Sequence, residues 1–432
     1  MVNFLEKNLL PFAQKIQNNK YISAVSDGFA MILPVIMIGA IFTLLASMQI
    51  SPYQTFITNT GLKVFFGLPS KVTTDLLALY TVFGVAYSLS KKMDISNDAG
   101  IVGTISVIML LLLIPMGVSK VLEDGTVVEI AGAINTDFLG AKGLFMAIIV
   151  GSIVPTIYNL VVKRGLVIKL PDSVPPTISR SFSALIPAFA TAFVFAIVRF
   201  AFGFTPYGDA NNFIYSIVAL PLQALGNSPF AVIGFILFAQ ILWFFGLHGF
   251  MVILPFLQTI FLPLSLENLA AYEAGAVLPN SIVYQHFGTY VLIGGSGALL
   301  GLAILMAFTS KSQQYKQLGR LGLPGAIFGI NEPIIFGFPM VLNTMMIIPF
   351  VLGPVVAFLI PYILQVIGIL PTLIGVSLPL GTPVLMYGFF QGGFPIMIMQ
   401  VILVIVQMLI WYPFFKIADN KAFELEQGKG DE

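Results

Sequence analysis

Long apolar stretches separated by short polar segments run along almost the whole chain. Stretches such as 182–204, 230–247 and 343–367 are dominated by Val, Ile, Leu, Phe and Ala. Each matches the roughly 20 residues with which a helix crosses the hydrocarbon core of a bilayer. The short segments of alternating polarity that mark a transmembrane β-barrel are not visible. The pattern therefore predicts an all-α polytopic membrane protein.

The apolar stretches predict about ten transmembrane helices. They lie near residues 28–48, 72–90, 99–117, 141–162, 182–204, 229–247, 250–265, 288–309, 343–368 and 394–415. The polar N-terminal segment with spaced apolar residues predicts a short amphipathic helix at the membrane interface. Asp27 precedes the first predicted span and is expected to cap its N-terminus. Gly297 and Gly301, inside the eighth predicted span, are expected to form a close helix-packing face.

Composition agrees with a membrane environment and narrows the chemistry. The chain of 432 residues is 58% hydrophobic and 9% charged, against about 25% charged in soluble proteins. Its net charge of +1 offers no electrostatic basis for binding nucleic acid. Without cysteine the chain has no thiolate metal site and no phosphocysteine. The two histidines show no metal-ligand spacing, so we predict neither a metal nor a cofactor.

Basic residues in the loops predict the topology. They cluster at the N-terminus, after the second, fourth and eighth predicted spans, and at the C-terminus. Cytoplasmic loops collect Lys and Arg, and ten spans place all five clusters on one side. Both termini are therefore expected in the cytoplasm, and the acidic, hairpin-like segment 121–132 on the opposite side.

The character of the chain changes near residue 205. Conventional spans and charged loops precede this point, whereas charge is scarce after it and Gly and Pro interrupt the apolar stretches. Segment 205–229 resembles an amphipathic connector. We therefore predict two domains, 1–205 and 206–432.

Four places in the second domain keep hydrogen-bonding side chains within apolar sequence: 239–250, 278–288, 328–337 and 379–393. Between Leu321 and Tyr412 the only charged residue is Glu332. Pro333 follows it and disfavours a helical residue before it, which predicts a re-entrant hairpin. A carboxylate at membrane depth is costly and indicates function. Trp243 by itself suits an interfacial anchor as well as a ligand platform, and His248 suits a helix end as well as a ligand contact.

A carboxylate, amides, an imidazole and aromatic rings in apolar surroundings favour a sugar ligand. Sugar hydroxyls both donate and accept hydrogen bonds, and sugar C–H faces pack on aromatic rings. An ion channel would need rings of carbonyl groups or charges. The alternative that stays open is an ion-coupled sugar symporter in which Glu332 carries the proton.

Three motifs resemble a known family. WFFGLHG (243–249), FGINEPIIFGFP (328–339) and ISAVSDGFAMILPVIMIGAIF (22–42) resemble the membrane (IIC) component of the bacterial phosphoenolpyruvate-dependent sugar phosphotransferase system, in its lactose/cellobiose/diacetylchitobiose branch. The resemblance implies a multi-pass protein of the bacterial plasma membrane with ten spans, two re-entrant hairpins and interfacial helices. It also implies a homodimer formed through residues 1–205 and a sugar carried by residues 206–432.

The resemblance also implies a reaction and its residues. A β-linked disaccharide of the cellobiose or diacetylchitobiose type would be phosphorylated on its 6-hydroxyl by a cysteine-phosphorylated IIB protein, with IIA upstream. We expect IIB on a separate chain, so that no catalytic residue lies in this one. The family's essential glutamate and histidine correspond to Glu332 and His248, which would position the hydroxyl. Asn331 and Trp243 match sugar-contacting positions, and Tyr387 is expected where some relatives carry a tryptophan.

Overall fold

A computed structural model describes residues 11–48, 51–121, 127–171, 173–338, 340–379 and 381–427. The chain is mostly α-helical and divides into two compact units. The first unit comprises Asn18–Ala224 with Gln258–Pro263. The second unit comprises Leu225–Leu257 and the chain from Leu264 onward, together with the N-terminal segment that ends at Gln17. The change from one unit to the other thus falls inside the predicted connector, and the assignment of functions to the predicted domains stays a proposal.

The helices that begin before Leu225 are α1 Lys20–Ser47, α2 Ser51–Asn59, α3 Leu62–Val72, α4 Leu77–Lys91, α5 Ala99–Leu113, α6 Leu144–Lys163, α7 Pro176–Ser183, α8 Leu185–Phe202, α9 Ala210–Ile214 and α10 Leu220–Gly226. An antiparallel pair of strands, β1 Met116–Val121 and β2 Val127–Ile134, lies between α5 and α6. This pair coincides with the segment that the sequence marks as hairpin-like, although its turn lies outside the described residues.

The later helices are α11 Pro229–Phe244, α12 Gly249–Glu273, α13 Leu300–Thr309, α14 Gln313–Ile327, α15 Glu332–Gly337, α16 Ile347–Val366, α17 Val384–Gly392 and α18 Phe394–Glu426. A π-helical turn, Phe287–Val291, precedes α13. The long α18 has room both to cross a bilayer and to extend beyond it, since its 33 residues span about 50 Å at about 1.5 Å per residue.

Helix packing in the first unit depends on small residues. A Cβ atom on Gly28 of α1 would lie 2.8 Å from the Val85 nitrogen of α4, and one on Gly84 would lie 2.9 Å from the Gly28 carbonyl oxygen. On the other side of α4, a Cβ on Gly151 of α6 would lie 3.0 Å from the Val82 carbonyl oxygen. Such close approach lets helices gain packing energy where lipid supplies no hydrophobic drive between them.

The apolar helices confirm a polytopic membrane protein. Among the described residues, eight helices are long and apolar enough to cross a membrane, and a bent pair, Ala210–Gly226 with Pro229–Phe244, makes nine. About ten were expected. The difference lies at 288–309, where only Leu300–Thr309 forms a regular α-helix. Gly294, Gly295 and Gly297 have φ angles of 76°, 85° and 76°, a left-handed conformation that ends a regular helix. Gly301 packs closely against Gln407 and Met408 of α18. Gly297 also packs closely, with a Cβ there 2.5 Å from the Phe350 ring of α16, but it lies in a turn and not in a helix.

One expectation about a charged residue, Asp27, needs correction, and a second charged residue, Arg199, has a structural role that the sequence did not indicate. Asp27 does not cap a helix, because α1 begins at Lys20 and Asn19 caps it by accepting from the nitrogens of Tyr21 and Ile22. Asp27 instead pairs with Lys92 at 2.8 Å. Arg199, near the C-terminus of α8, donates from Nη1 to the carbonyl oxygens of Leu112 and Ile114, the latter at 2.8 Å. It therefore caps the C-terminus of α5.

Candidate functional site

The first of the two turns that carry the site ends α11. Gly246 has a φ of 79°, and its nitrogen donates to the Trp243 carbonyl at 2.9 Å. The nitrogen of Leu247 donates to the Leu242 carbonyl at 3.0 Å. This pair of bonds around a left-handed glycine is the Schellman motif, which ends a helix and reverses the chain. His248 follows directly and is thereby folded back onto Trp243.

His248 is also the N-cap of α12, and this role determines its tautomer. Its Nδ1 accepts from the Met251 nitrogen at 3.3 Å, so in the neutral ring the proton resides on Nε2. A Cβ on the next residue, Gly249, would overlap the Ala239 carbonyl of α11. Glycine is thus required for α12 to begin so close to α11. The two glycines of the GLHG motif both serve to place His248.

The second turn, between α14 and α15, repeats the same design. Gly329 has a φ of 79°; its nitrogen donates to the Ala326 carbonyl at 3.0 Å, and the Ile330 nitrogen donates to the Gly325 carbonyl at 2.9 Å. The short α15 then begins at Glu332. Pro333 suits the first helical turn, where its missing N–H has no partner to lose. The chain thus turns between α14 and α15 just before Glu332, and the re-entrant hairpin expected there stays a prediction.

The two turns bring His248 and Glu332 together. Nε2 of His248 lies 3.9 Å from Oε1 of Glu332, and the two side chains are 37% and 45% exposed. This separation is too long for a direct hydrogen bond, but one hydroxyl oxygen could accept from Nε2–H and donate to Oε1. The second carboxylate oxygen, Oε2, is buried and has no hydrogen-bond partner among the described residues. Glu332 therefore keeps acceptor capacity for a ligand.

Aromatic rings border this pair. The Trp243 ring centroid is 4.5 Å from that of His248, with the planes at 48°, and the Phe336 centroid is 6.3 Å from Trp243. Trp243 is only 3% exposed, whereas Phe336 is 65% exposed. Trp243 supports the imidazole, and Phe336 offers an open ring face. Phe336 was not among the sequence candidates; its position four residues after Glu332, on the same helical face, was the available signal.

Asn331 and Tyr387 are held by another segment, residues 287–297. Nδ2 of Asn331 donates to the Ser296 carbonyl at 2.6 Å. The Asn331 amide also packs so closely on Gly295 that a Cβ on Gly295 would lie 2.5 Å from Cγ of Asn331. Tyr387 of α17 packs on Gly288 in the same way: a Cβ on Gly288 would lie 2.8 Å from the Tyr387 phenol oxygen. The structure thus brings Trp243, His248 and Glu332 together and ties Asn331 to the neighbouring turn. Direct contact of Asn331 or Tyr387 with a sugar stays a prediction.

Two polar residues from the stretches that the sequence singles out, Gln391 and Asn280, support the backbone. The Gln391 side chain donates from Nε2 to the Val376 carbonyl at 2.6 Å and accepts at Oε1 from the Gly375 nitrogen at 3.3 Å. These bonds hold an extended segment beside α17. Asn280 bonds Asn268 and, through Nδ2, Glu267. Buried amides of this kind satisfy backbone groups that irregular segments leave open.

Comparison with known proteins assigns the family. The family model described as "Phosphotransferase system, EIIC" matches residues 26–354. The chain is 35% identical to the oligo-beta-mannoside-specific EIIC component of Bacillus subtilis (strain 168), covering 99% of this chain and 96% of that one. It is 36% identical to the cellobiose-specific EIIC component of Geobacillus stearothermophilus, with the same coverage.

A solved structure agrees over the whole fold. The transporter ChbC, the IIC component from the N,N'-diacetylchitobiose-specific phosphotransferase system, superposes with a TM-score of 0.94 at 33% identity. The match covers 99% of this chain and 100% of that chain. The motifs around His248 and Glu332, the helical fold and these comparisons agree, and the chain belongs to the EIIC family of sugar permeases of the phosphotransferase system.

Proposed function

We propose that this EIIC permease binds and translocates a β-linked disaccharide of the cellobiose or diacetylchitobiose type. The proposal is supported by relatives named for cellobiose and for N,N'-diacetylchitobiose at 36% and 33% identity over almost the full chain. Membership of the EIIC family speaks against the ion-coupled symporter. The acidic group in the site then serves to hold sugar rather than to carry a coupling proton.

The observation that carries the proposed mechanism is the 3.9 Å gap between Nε2 of His248 and Oε1 of Glu332. The 6-hydroxyl of the sugar accepts from Nε2–H and donates to the carboxylate, which orients its remaining lone pair. A hydrogen bond to a charged acceptor is stronger than one between neutral groups. Phe336 packs on a sugar face, while Trp243 stabilises the imidazole from behind.

The phosphoryl group comes from outside the chain. A separate IIB protein, phosphorylated on cysteine, donates it to the hydroxyl that Glu332 and His248 position. The new bond joins the 6-oxygen to phosphorus, the sulfur–phosphorus bond breaks, and the released cysteine thiolate of IIB takes up the hydroxyl proton. This chain binds the sugar, orients it and moves it, and a homodimer formed through the first unit provides the scaffold.

Transport by membrane vesicles tests the proposal. Vesicles loaded with phosphoenolpyruvate and the general phosphotransferase components should accumulate phosphorylated disaccharide only when phosphorylated IIB is present. Glu424→Gln is the matched control for Glu332→Gln in this assay, because it removes a carboxylate from an exposed position of α18. Accumulation of unmodified sugar that stops on adding a protonophore would instead identify a symporter.

A further inference from the structure

Two carboxylates at the end of α18 clamp the start of α14. Asp419 is completely buried and accepts from the hydroxyl of Ser310, the nitrogen of Lys311 (2.9 Å to Oδ2) and the nitrogen of Ser312 (3.0 Å to Oδ1). A buried carboxylate is costly unless its oxygens are hydrogen-bonded. Here backbone and hydroxyl donors satisfy it, so that it works as an anchor for the chain at residues 310–312.

Glu426 completes the clamp two helical turns further along α18. Its carboxylate accepts from the Ser312 hydroxyl at 2.6 Å and from the nitrogens of Gln313 and Gln314 at 2.9 and 3.0 Å. The Ser312 hydroxyl oxygen in turn accepts from the Tyr315 nitrogen at 3.2 Å. A helix normally leaves its first N–H groups without partners inside the helix. At α14 each nitrogen from 311 to 315 bonds a side-chain oxygen, and two negative charges face the positive end of the helix dipole.

The clamped helix leads directly to the proposed sugar site. α14 has 15 residues, a length of about 22 Å, and ends at the turn that precedes Glu332. It packs tightly on α15: a Cβ on Gly322 would lie 2.5 Å from Ile334, and one on Gly337 would lie 2.6 Å from Leu318. Because these glycine contacts leave no free space between α14 and α15, we expect a shift at the N-terminus of α14 to move Glu332 as well.

We propose that Asp419 and Glu426 are positioning residues for sugar binding. By fixing the N-terminus of α14, they set where α15 presents Glu332 to His248. The proposal rests on the proposed function of that pair. It assigns a role to two acidic residues far from the site in sequence, and it predicts that their loss loosens the site without removing any sugar contact.

Graded variants test the clamp through sugar affinity. Asp419→Ala removes every bond of the anchor and should weaken disaccharide binding at least about tenfold, the effect of about 1.4 kcal/mol. Asp419→Asn keeps Oδ1, which takes the bonds from Ser310, Ser312 and one from Lys311, and should restore most of the affinity. Glu426→Ala should give a smaller loss, and the control Glu424→Gln none. Wild-type affinity in both alanine variants would overturn the proposal.

A distance measurement separates positioning from simple stabilisation. Spin labels on cysteines at Leu321 of α14 and Phe230 of α11, which are 79% and 81% exposed, report the spacing of the two helices that lead into the turns before Glu332 and His248. Asp419→Ala should broaden or shift this distance distribution, and Asp419→Asn should restore it. Weaker binding with an unchanged distribution would overturn the positioning role.

Two further controls keep the test decisive. If Asp419→Ala does not fold, Glu426→Ala is measured in its place, because Glu426 lies at the exposed end of α18. The proposed function is tested separately by Glu332→Gln. If that variant bound sugar like the wild type, the proposed function would fail, while the spin-label distances would still decide whether the clamp sets the spacing of α14 and α11.

Discussion

Nε2 of His248 lies 3.9 Å from Oε1 of Glu332, although the two residues belong to different helix–turn–helix units. Each follows a left-handed glycine in a Schellman turn, Gly246 and Gly329, and each stands where a new helix begins. The pairing results from two copies of one local design that face each other. The imidazole of His248 and the carboxylate of Glu332 are therefore held by backbone geometry before a ligand arrives.

Replacing Glu332 with Gln should weaken disaccharide binding. The side chain keeps its shape but loses the charge that would strengthen the proposed hydrogen bond to a sugar hydroxyl, a contribution of about 1.5–3 kcal/mol. Calorimetry on the purified protein should show a loss of about 10- to 100-fold. Folding should survive, because a buried carboxylate oxygen that has no hydrogen-bond partner among the described residues is exchanged for a neutral group. Unchanged affinity with transport intact would remove Glu332 from the site.

Combining His248→Ala with Glu332→Gln should cost less than the sum of the single losses. If both side chains hold one hydroxyl, the first substitution already releases it and the second has less to remove. Disaccharide dissociation constants for the wild type, both single variants and the double variant give the interaction energy. Strict additivity would show that the two residues bind different parts of the sugar.

Alanine at Gly246 or Gly329 should destabilise the protein and weaken sugar binding. Both glycines have a φ of 79°, which costs a residue with a Cβ about 1–2 kcal/mol. Steric crowding is not the cause: among the described residues, a Cβ at Gly329 would meet no atom within 4 Å, and one at Gly246 would lie 3.5 Å from Val341. Gly234, inside α11 with equally open surroundings, is the matched control and should tolerate alanine. Thermal unfolding in detergent compares the three variants. Equal melting temperatures would show that alanine is not strained at Gly246 or Gly329.

Replacing Arg199 with Ala should destabilise the first unit without affecting sugar affinity. Its guanidinium bonds the carbonyls of Leu112 and Ile114, and Asn211 bonds the Leu113 carbonyl between them at 3.0 Å. Losing hydrogen bonds from a charged donor should reduce stability by about 1.5–3 kcal/mol. Arg199→Lys should retain only part of this stability, because lysine keeps the charge but lacks the planar fork of arginine. Denaturant unfolding measures the loss; an Arg199→Ala variant as stable as the wild type would show that the cap contributes little.

Single cysteines in this cysteine-free chain should reveal its orientation. Asn97→Cys, Lys169→Cys and Gln317→Cys should react with an impermeant maleimide only from the cytoplasmic side, since short cytoplasmic loops collect basic residues. Ile130→Cys, in the β-hairpin, should react from the outside. The positions are exposed, so labelling reports sidedness rather than burial. Opposite sides for Asn97 and Gln317 would reject the predicted topology.

Local sequence determined the class of protein and most of its spans. Apolar length is a property of consecutive residues, because each side chain contributes its own transfer energy to lipid. The motifs GLHG and NEP likewise indicated turns. Glycine suits a left-handed backbone conformation, and proline suits the first turn of a helix. The same local signal did not reveal that the helix within 288–309 is interrupted, because the left-handed glycines there leave hydropathy unchanged.

Only the tertiary structure decided which polar groups meet. Sequence pattern indicated that Glu332 and His248 matter, but not that an open 3.9 Å gap separates them, nor that Asn331 turns to the Ser296 carbonyl. It gave no signal that Asp419 and Glu426 would cap α14. These relationships join residues from distant parts of the chain, and their geometry depends on how closely glycines let helices and turns approach. Hydrophobic periodicity cannot encode such distances, because it records which face of a helix is apolar and not which partner that face will meet.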